Sequence, residues 1–298
     1  MGMNNNNLSA ENAYTTPRRR RQRGQAQSAA MDTHGGGKQG MDVFIMGGQS
    51  NMQGRQGNAE QYPLDPSNLD REILFYWVTP GFGSSEGQWS HMQPQPGCFP
   101  CGHFGPEVTF ARRLQETGSH PAIFKFSCGA TSLAKDWLTR GEKALYDQMD
   151  LEYRKALSFL KAQGYPVNLR AFVWIQGESD AETAEMSEGY FARLTRLVKD
   201  VREHLAGDPS LPVILGLDEQ HPYVKTHPVV VDAQKRFVQE DTCAAFVSME
   251  GLEKADVSHL TPAGLEAHGR RLFDTCNALM KRVEKKELAK KRARSTPN

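Results

Sequence analysis

The sequence predicts an α/β fold in which a mainly parallel sheet carries helices on both faces. Three observations predict it. Five short apolar runs have the length and character of buried strands. Segments with helical spacing alternate with them, the pattern of a sheet joined by right-handed crossovers. The chain has 298 residues, a length that suits one domain of roughly 240 residues once an unusual N-terminal stretch is set aside.

The first strand is Val43-Phe44-Ile45-Met46, broken by Gly47-Gly48. The others are Ala122 to Phe126, Ala171 to Ile175, Val213 to Leu217 and Ala244 to Ser248, each an apolar run with turn residues nearby. Helical spacing is found over Pro106 to Thr117, Glu142 to Ala162, Ser187 to Leu205, Val229 to Glu240 and Pro262 to about Glu284. One segment breaks the alternation. From Gln53 to His103 the chain is rich in Gly, Pro, Gln and aromatics, with only Glu72 to Val78 resembling a further strand. Loops of such length in a compact domain are usually functional. Its aromatics Tyr62, Trp77, Phe82 and Trp89 either offer flat surfaces to a sugar ring or pack the loop onto the core.

The ends differ in composition from the middle. Residues 1–40 hold Asn4 to Asn7, five arginines between Arg18 and Arg23, and Gly35-Gly36-Gly37. They cannot bury enough apolar area to offset ordering entropy and are read as a disordered extension, or as a start assigned too early, since Met31 and Met41 both precede the first strand. Residues 41–283 form the domain and 284–298 a basic C-terminal tail.

With 36 basic and 35 acidic residues the net charge is +1, so the overall field recommends neither nucleic acid nor an anionic membrane as partner. No apolar run approaches the roughly 18 residues of a membrane span, and no secretory signal is visible, so the chain reads as cytoplasmic as written. Five cysteines do not make a complete disulfide framework. Cys98 and Cys101, with His103 nearby, lack the second ligand pair of a zinc site and lie in a Pro/Gly-rich loop. They are read as ordinary or loop-bridging thiols, a labile disulfide and a metal site being the alternatives. No cofactor is expected.

The chemistry begins at Gly48-Gln49-Ser50-Asn51-Met52, which sets a hydroxyl at the carboxyl end of the first strand, where open α/β sheets bind ligands. A serine needs a base to take its proton and a third group to orient that base. The loop Asp256-Val257-Ser258-His259-Leu260-Thr261-Pro262 follows the last strand and so emerges at the same sheet edge. There Asp256 is placed to hold one imidazole nitrogen of His259 and leave the other for the serine, while Thr261 and Pro262 start the final helix. Two more strand ends offer oxyanion donors: a backbone N–H near Gly129 in Ser127-Cys128-Gly129-Ala130-Thr131-Ser132, and the side chain of Gln176 in Trp174-Ile175-Gln176-Gly177-Glu178-Ser179-Asp180.

Gly48 to Arg55, Gly105-Pro106-Glu107, Trp174 to Asp180 and Asp256 to Leu260 together resemble the SGNH (GDSL-like) hydrolases. Within them the chain is similar to the sialate O-acetylesterase-like domain shared with family-six carbohydrate esterases, which include acetylxylan esterases. The resemblance runs from about Asp42 to Leu279. It implies a flavodoxin-like three-layer α/β/α sandwich on a five-stranded mainly parallel sheet, no metal, and removal of acetyl groups from sugar hydroxyls. It further implies Ser50 as nucleophile, His259 as general base and Asp256 as its orienter. The oxyanion donors would be the backbone amides of Ser50 and Gly129 with the Gln176 side chain. Gln176 departs from the superfamily, whose third block usually offers asparagine. Gln49, Asn51, Arg55 and Glu178 are candidates for supporting or substrate-contacting roles, Glu178 read as a loop anchor and Arg55 as a structural hydrogen-bond donor or a carboxylate contact.

The expected partner is an acetylated carbohydrate, with no nucleic acid and no membrane. An ordinary α/β-hydrolase is disfavoured because Met52 stands where Gly-x-Ser-x-Gly requires its last glycine. A non-catalytic carbohydrate-binding protein has no use for an Asp-x-x-His base, and a lipase or thioesterase is disfavoured by the polar Gln53 to His103 segment.

Overall fold

The computed structural model describes residues 38–295, with side chains described to residue 292. The extension expected over residues 1–40 lies outside the described residues up to position 37. The strands are β1 (Met41–Gly48), β2 (Leu74–Thr79), β3 (Gly83–Ser84), β4 (Ser90–His91), β5 (Gln95–Gly97), β6 (Phe99–His103), β7 (Pro121–Ser127), β8 (Val167–Ile175), β9 (Val213–Leu217) and β10 (Ala244–Ser248). The helices are α1 (Ser50–Gln53), α2 (Glu107–Glu116), α3 (Leu145–Ala162), α4 (Ala184–Glu188), α5 (Tyr190–Asp200), α6 (Pro222–Thr226), α7 (Val229–Glu240) and α8 (Pro262–Ser295).

All five expected runs are strands, and they pair in parallel in the order β10-β9-β8-β1-β7. By order in the chain that is 2-1-3-4-5, the doubly wound arrangement whose switch point lies beside the first strand. The sheet is wider than five strands. β2 adds a sixth parallel strand against β7, and the short β3 and β4 pair antiparallel with β2. Strands β5 and β6 form a separate two-stranded sheet.

The apolar runs are continuous rather than alternating because both faces of the sheet are covered. Within β1, Val43 and Ile45 enter one core with α3, α5 and α7, while Phe44 and Met46 enter the other with α2 and α8. Helix α3 buries Tyr146, Met149, Tyr153, Ala156 and Leu160, a one-faced stripe at helical spacing. The result is the three-layer α/β/α sandwich. The segment expected as one helix to Leu205 passes from α5 into a π-helical turn, Val201–Ala206. The last helix runs eleven residues beyond Glu284, without a break at 283.

One core is not wholly apolar. Lys125 of β7 and Glu107 at the start of α2 are both fully buried, with Nζ 2.8 Å from Oε2. Burial pushes the Lys125 ammonium down from its ordinary value, and Glu107 opposes that shift. The same Nζ donates to the Gln53 carbonyl (3.1 Å) at the end of α1. Glu107 Oε1 accepts from Gly105 N (2.9 Å) and Gln95 Nε2 (3.1 Å). The pair thus pins the long loop and the α1 turn to the sheet. Lys125→Met, which leaves Glu107 buried without its partner, is expected to cost about 3–5 kcal/mol in urea unfolding. Combining it with Glu107→Gln should recover part of that loss.

Candidate active site

Ser50 stands where β1 ends at the switch point. Gly48 has φ +146°, and a Cβ built there would lie 2.1 Å from the Ile175 carbonyl oxygen of β8, so only glycine lets the strands approach this closely before the turn. Ser50 is the first residue of α1, where its backbone N–H has no intrahelical acceptor. Gly54 N closes the turn on Ser50 O at 2.9 Å. The side chain is 8% exposed and faces a cleft of about 400 Å³ that His259 also lines.

The loop between β10 and α8 is shaped by Asp256. Its Oδ1 accepts the backbone N–H groups of Ser258 (2.7 Å) and His259 (2.8 Å). The His259 Nδ1 lies 2.9 Å from Oδ2 and 3.1 Å from Oδ1. A carboxylate only accepts, so Nδ1 carries a proton, and in the neutral ring the lone pair is left on Nε2. Burial would raise the Asp256 carboxyl, but the hydrogen bonds from the His259 ring and the two amides outweigh it and hold it near 2.

Asn51 joins this loop to the serine turn. Its Nδ2 donates to Ser258 O (2.9 Å) and its Oδ1 accepts from Leu260 N (3.1 Å), across more than 200 residues of chain. Gln56 Nε2 adds a bond to Asp256 Oδ2 (3.3 Å). Gly129, after β7, lies against the serine: a Cβ there would be 3.7 Å from Ser50 Cβ and 3.1 Å from Gln53 Oε1. Gln49 and Arg55 also line the cleft, Arg55 with its guanidinium 5.6 Å from the Phe82 ring centroid and Nη1 3.8 Å from Cys98 Sγ.

Gln176 has a different place from the one expected. It is buried, and both hydrogens of its amide are committed, to Asp180 Oδ2 (2.7 Å) and Thr131 O (3.1 Å). Its Oε1 accepts from Tyr190 Oη (3.1 Å). An amide with both donors taken has none to aim at an oxyanion. Asp180 in turn accepts from Leu133 N and Ala134 N, so Gln176 and Asp180 lace the loop after β8 to the loop after β7.

Glu178 lines the cleft from a buried position beside Asn51 and Asp218. Burial, and then the Asp218 carboxylate, push its carboxyl up to about 7; the Asn51 side chain and Lys254 oppose the shift. Asp218 is held by Lys254 Nζ at 2.8 and 2.7 Å.

Sequence reasoning left the loop after β9 unread, and it supplies His221 and Tyr223 to the cleft. His221 Nδ1 accepts from Tyr223 N (3.3 Å), so Nε2 is the protonated nitrogen and donates to Ser258 Oγ at 2.9 Å. Burial lowers this imidazole below its ordinary value, in keeping with a neutral ring. The signal that could have found these residues was position alone: the loop starts at the carboxyl end of a central strand.

Of the four loop aromatics, Trp77 and Trp89 are buried and Tyr62 packs edge-on against Phe104 at 5.4 Å; Phe82 reaches the cleft. Cys98 and Cys101 are free thiols on the β5–β6 hairpin. Among the described residues no His, Cys, Asp and Glu group is arranged to hold a metal ion, and no helix is long and apolar enough to cross a membrane.

The family described as carbohydrate esterase, sialic acid-specific acetylesterase, matches residues 40–278. A probable carbohydrate esterase of Arabidopsis thaliana is 30% identical over 186 residues, which is 58% of this chain and 66% of the relative, just under two thirds of its length. A solved structure of an Arabidopsis thaliana protein superposes with a TM-score of 0.60 at 24% identity, covering 80% of this chain and 98% of that one. NanS gives 0.58 at 16% identity, with 83% and 98% covered. A carbohydrate acetylesterase from Xanthomonas citri gives 0.53 at 19%, with 78% and 54% covered. These superpositions are likenesses of fold.

Glu178 leaves a measurable trace in stability. A carboxyl raised to about 7 in the fold from an ordinary value of 4.5 stays protonated where the unfolded chain has ionised, so its contribution falls as pH rises through that window and is flat above it. Glu178→Gln mimics the protonated form. Its thermal midpoint relative to the parent should therefore be higher at pH 8 than at pH 4.5, as read by calorimetry at the two values.

Proposed function

We propose that this chain, which belongs to the carbohydrate esterase, sialic acid-specific acetylesterase family, is a serine esterase that removes O-acetyl groups from carbohydrates. The observation that carries the reading is the Asp256–His259 pair held at 2.9 Å beside the cleft that Ser50 faces. Asn51 ties the two halves together.

In this reading Ser50 Oγ attacks the acetyl carbonyl carbon while His259 Nε2 takes its proton, and Asp256 stabilises the imidazolium that results. The developing oxyanion is received by the backbone N–H groups of Ser50 and Gly129, while Gln176 braces the cleft from behind. Collapse breaks the bond to the sugar oxygen, which leaves with the proton from His259. Water then attacks the acetyl-serine with His259 again as base, releasing acetate and restoring the hydroxyl. The neutral His221 fixes Ser258, the residue before His259, and keeps a second positive charge away from the imidazolium.

The bonding around His259 also favours catalysis over a binding module on the same fold. A carboxylate that spends two amide bonds and a ring bond on one imidazole tautomer prepares a base. It adds nothing to holding a sugar.

Ser50→Ala is expected to lower acetate release from a small acetyl ester by about 10³-fold or more with an unchanged thermal midpoint. A fluorophosphonate probe should label the parent at Ser50, found by peptide mapping, and leave the variant unlabelled. Near-parental activity in the variant would sink the assignment. Asp256→Asn, which can present its N–H to Nδ1 and so favour the wrong tautomer, should cost up to about 10⁴-fold in kcat.

A further inference from the structure

Two large apolar side chains remain out of the core at the mouth of the cleft. Phe82 and Tyr223 are each 46% exposed, and both line the cleft that holds Ser50. They reach it from opposite sides. Phe82 lies just beyond β2 and Tyr223 just beyond β9, and in the sheet order β9-β8-β1-β7-β2 each strand is two places from β1, which delivers Ser50. The strands they follow lie four spacings apart, about 19 Å between axes, so the two rings flank the strand of Ser50 and close on one cleft from either side.

Neither ring is loose. Phe82 N is bonded to Thr79 O (2.9 Å), the ring lies against Gly97, where a Cβ would be 3.3 Å from it, and Arg55 sits over it at 5.6 Å. Tyr223 is the second residue of α6, bonds through its N–H to His221 Nδ1 (3.3 Å), and meets the His221 ring edge-on at 5.2 Å. Aromatic faces carry partial negative charge and attract the C–H groups that line one face of a pyranose. Fixed, half-exposed rings at a concave site are what such a ring would cover.

We propose that Phe82 and Tyr223 are the substrate-binding walls of this cleft and that the substrate is an acetylated oligosaccharide. The acetylated residue sits at Ser50, with neighbouring rings against Phe82 on one side and Tyr223 on the other. The inference rests on the serine-esterase reading and adds the length of the substrate and two residues that select it.

The test compares ethyl acetate, which has no ring, with acetylated methyl xyloside and methyl glucoside and with acetylated xylotriose and cellotriose. The parent should show kcat/KM about tenfold or more higher on the trioses than on the single rings. Phe82→Ala and Tyr223→Ala should each lower kcat/KM about tenfold more on the trioses than on ethyl acetate, the difference lying chiefly in KM. Phe82→Tyr and Tyr223→Phe should restore the triose rate, since each keeps a ring. Equal rates on single rings and trioses in the parent, or equal losses on ethyl acetate and trioses in the alanine variants, would overturn the proposal. Turnover of ethyl acetate with no turnover of any sugar ester would overturn it too while leaving the esterase reading standing. Failure on ethyl acetate as well would remove the esterase reading itself.

Discussion

Two hydrogen bonds from one amide hold the site together. Asn51 gives its Nδ2 to Ser258 and receives Leu260 N–H on its Oδ1, so the turn after the first strand and the loop before the last helix are locked at a fixed separation. The amide is buried, where a lost partner leaves an unsatisfied group at a cost of about 1–3 kcal/mol. That cost is what keeps the serine and the imidazole in register. Every other feature of the cleft is arranged around this joint: Gly48 lets β1 and β8 close beneath it, and the Asp256 turn sits directly on it.

The carboxyl edge of the sheet is unusually polar for so enclosed a region, and several of its buried groups are paired. Lys125 and Glu107 support α1 from below, Gln176 and Asp180 bind the two neighbouring loops, and Asp218 answers Lys254. Such networks are expensive to bury and correspondingly hard to distort. The cleft is therefore walled by loops that behave as rigid parts, a requirement of any site in which reacting groups must meet at hydrogen-bond distance.

The sheet was legible because its strands are buried on both faces and so read as unbroken apolar runs, from Val43 to Met46 and from Ala171 to Ile175. The Asp256 and His259 pairing was legible because a three-residue spacing lets a carboxylate reach both its own loop's amides and the ring. Gln176 was misplaced for a physical reason: residue type tells that an amide has two hydrogens but not which acceptors surround it, and Asp180 and Thr131 took both. His221 and Tyr223 escaped notice because nothing in the Gln220-His221-Pro222-Tyr223 stretch departs from an ordinary turn; only the order of strands brings it beside Ser50. The width of the sheet was legible only in part: Glu72 to Val78 reads as a further strand and is β2, whereas β3 and β4, two residues each, carry no periodicity.

The span bridged by Asn51 also orders events in time. Its partner Leu260 lies 209 residues later in the chain, so a ribosome adding about 5–20 residues per second makes the Ser50 turn roughly 10–40 s before the loop to which Asn51 bonds it. During that interval the half-made domain holds a serine with an ordinary hydroxyl. On the reading proposed above, the site is assembled only once the loop of Asp256 and His259 has docked onto that turn.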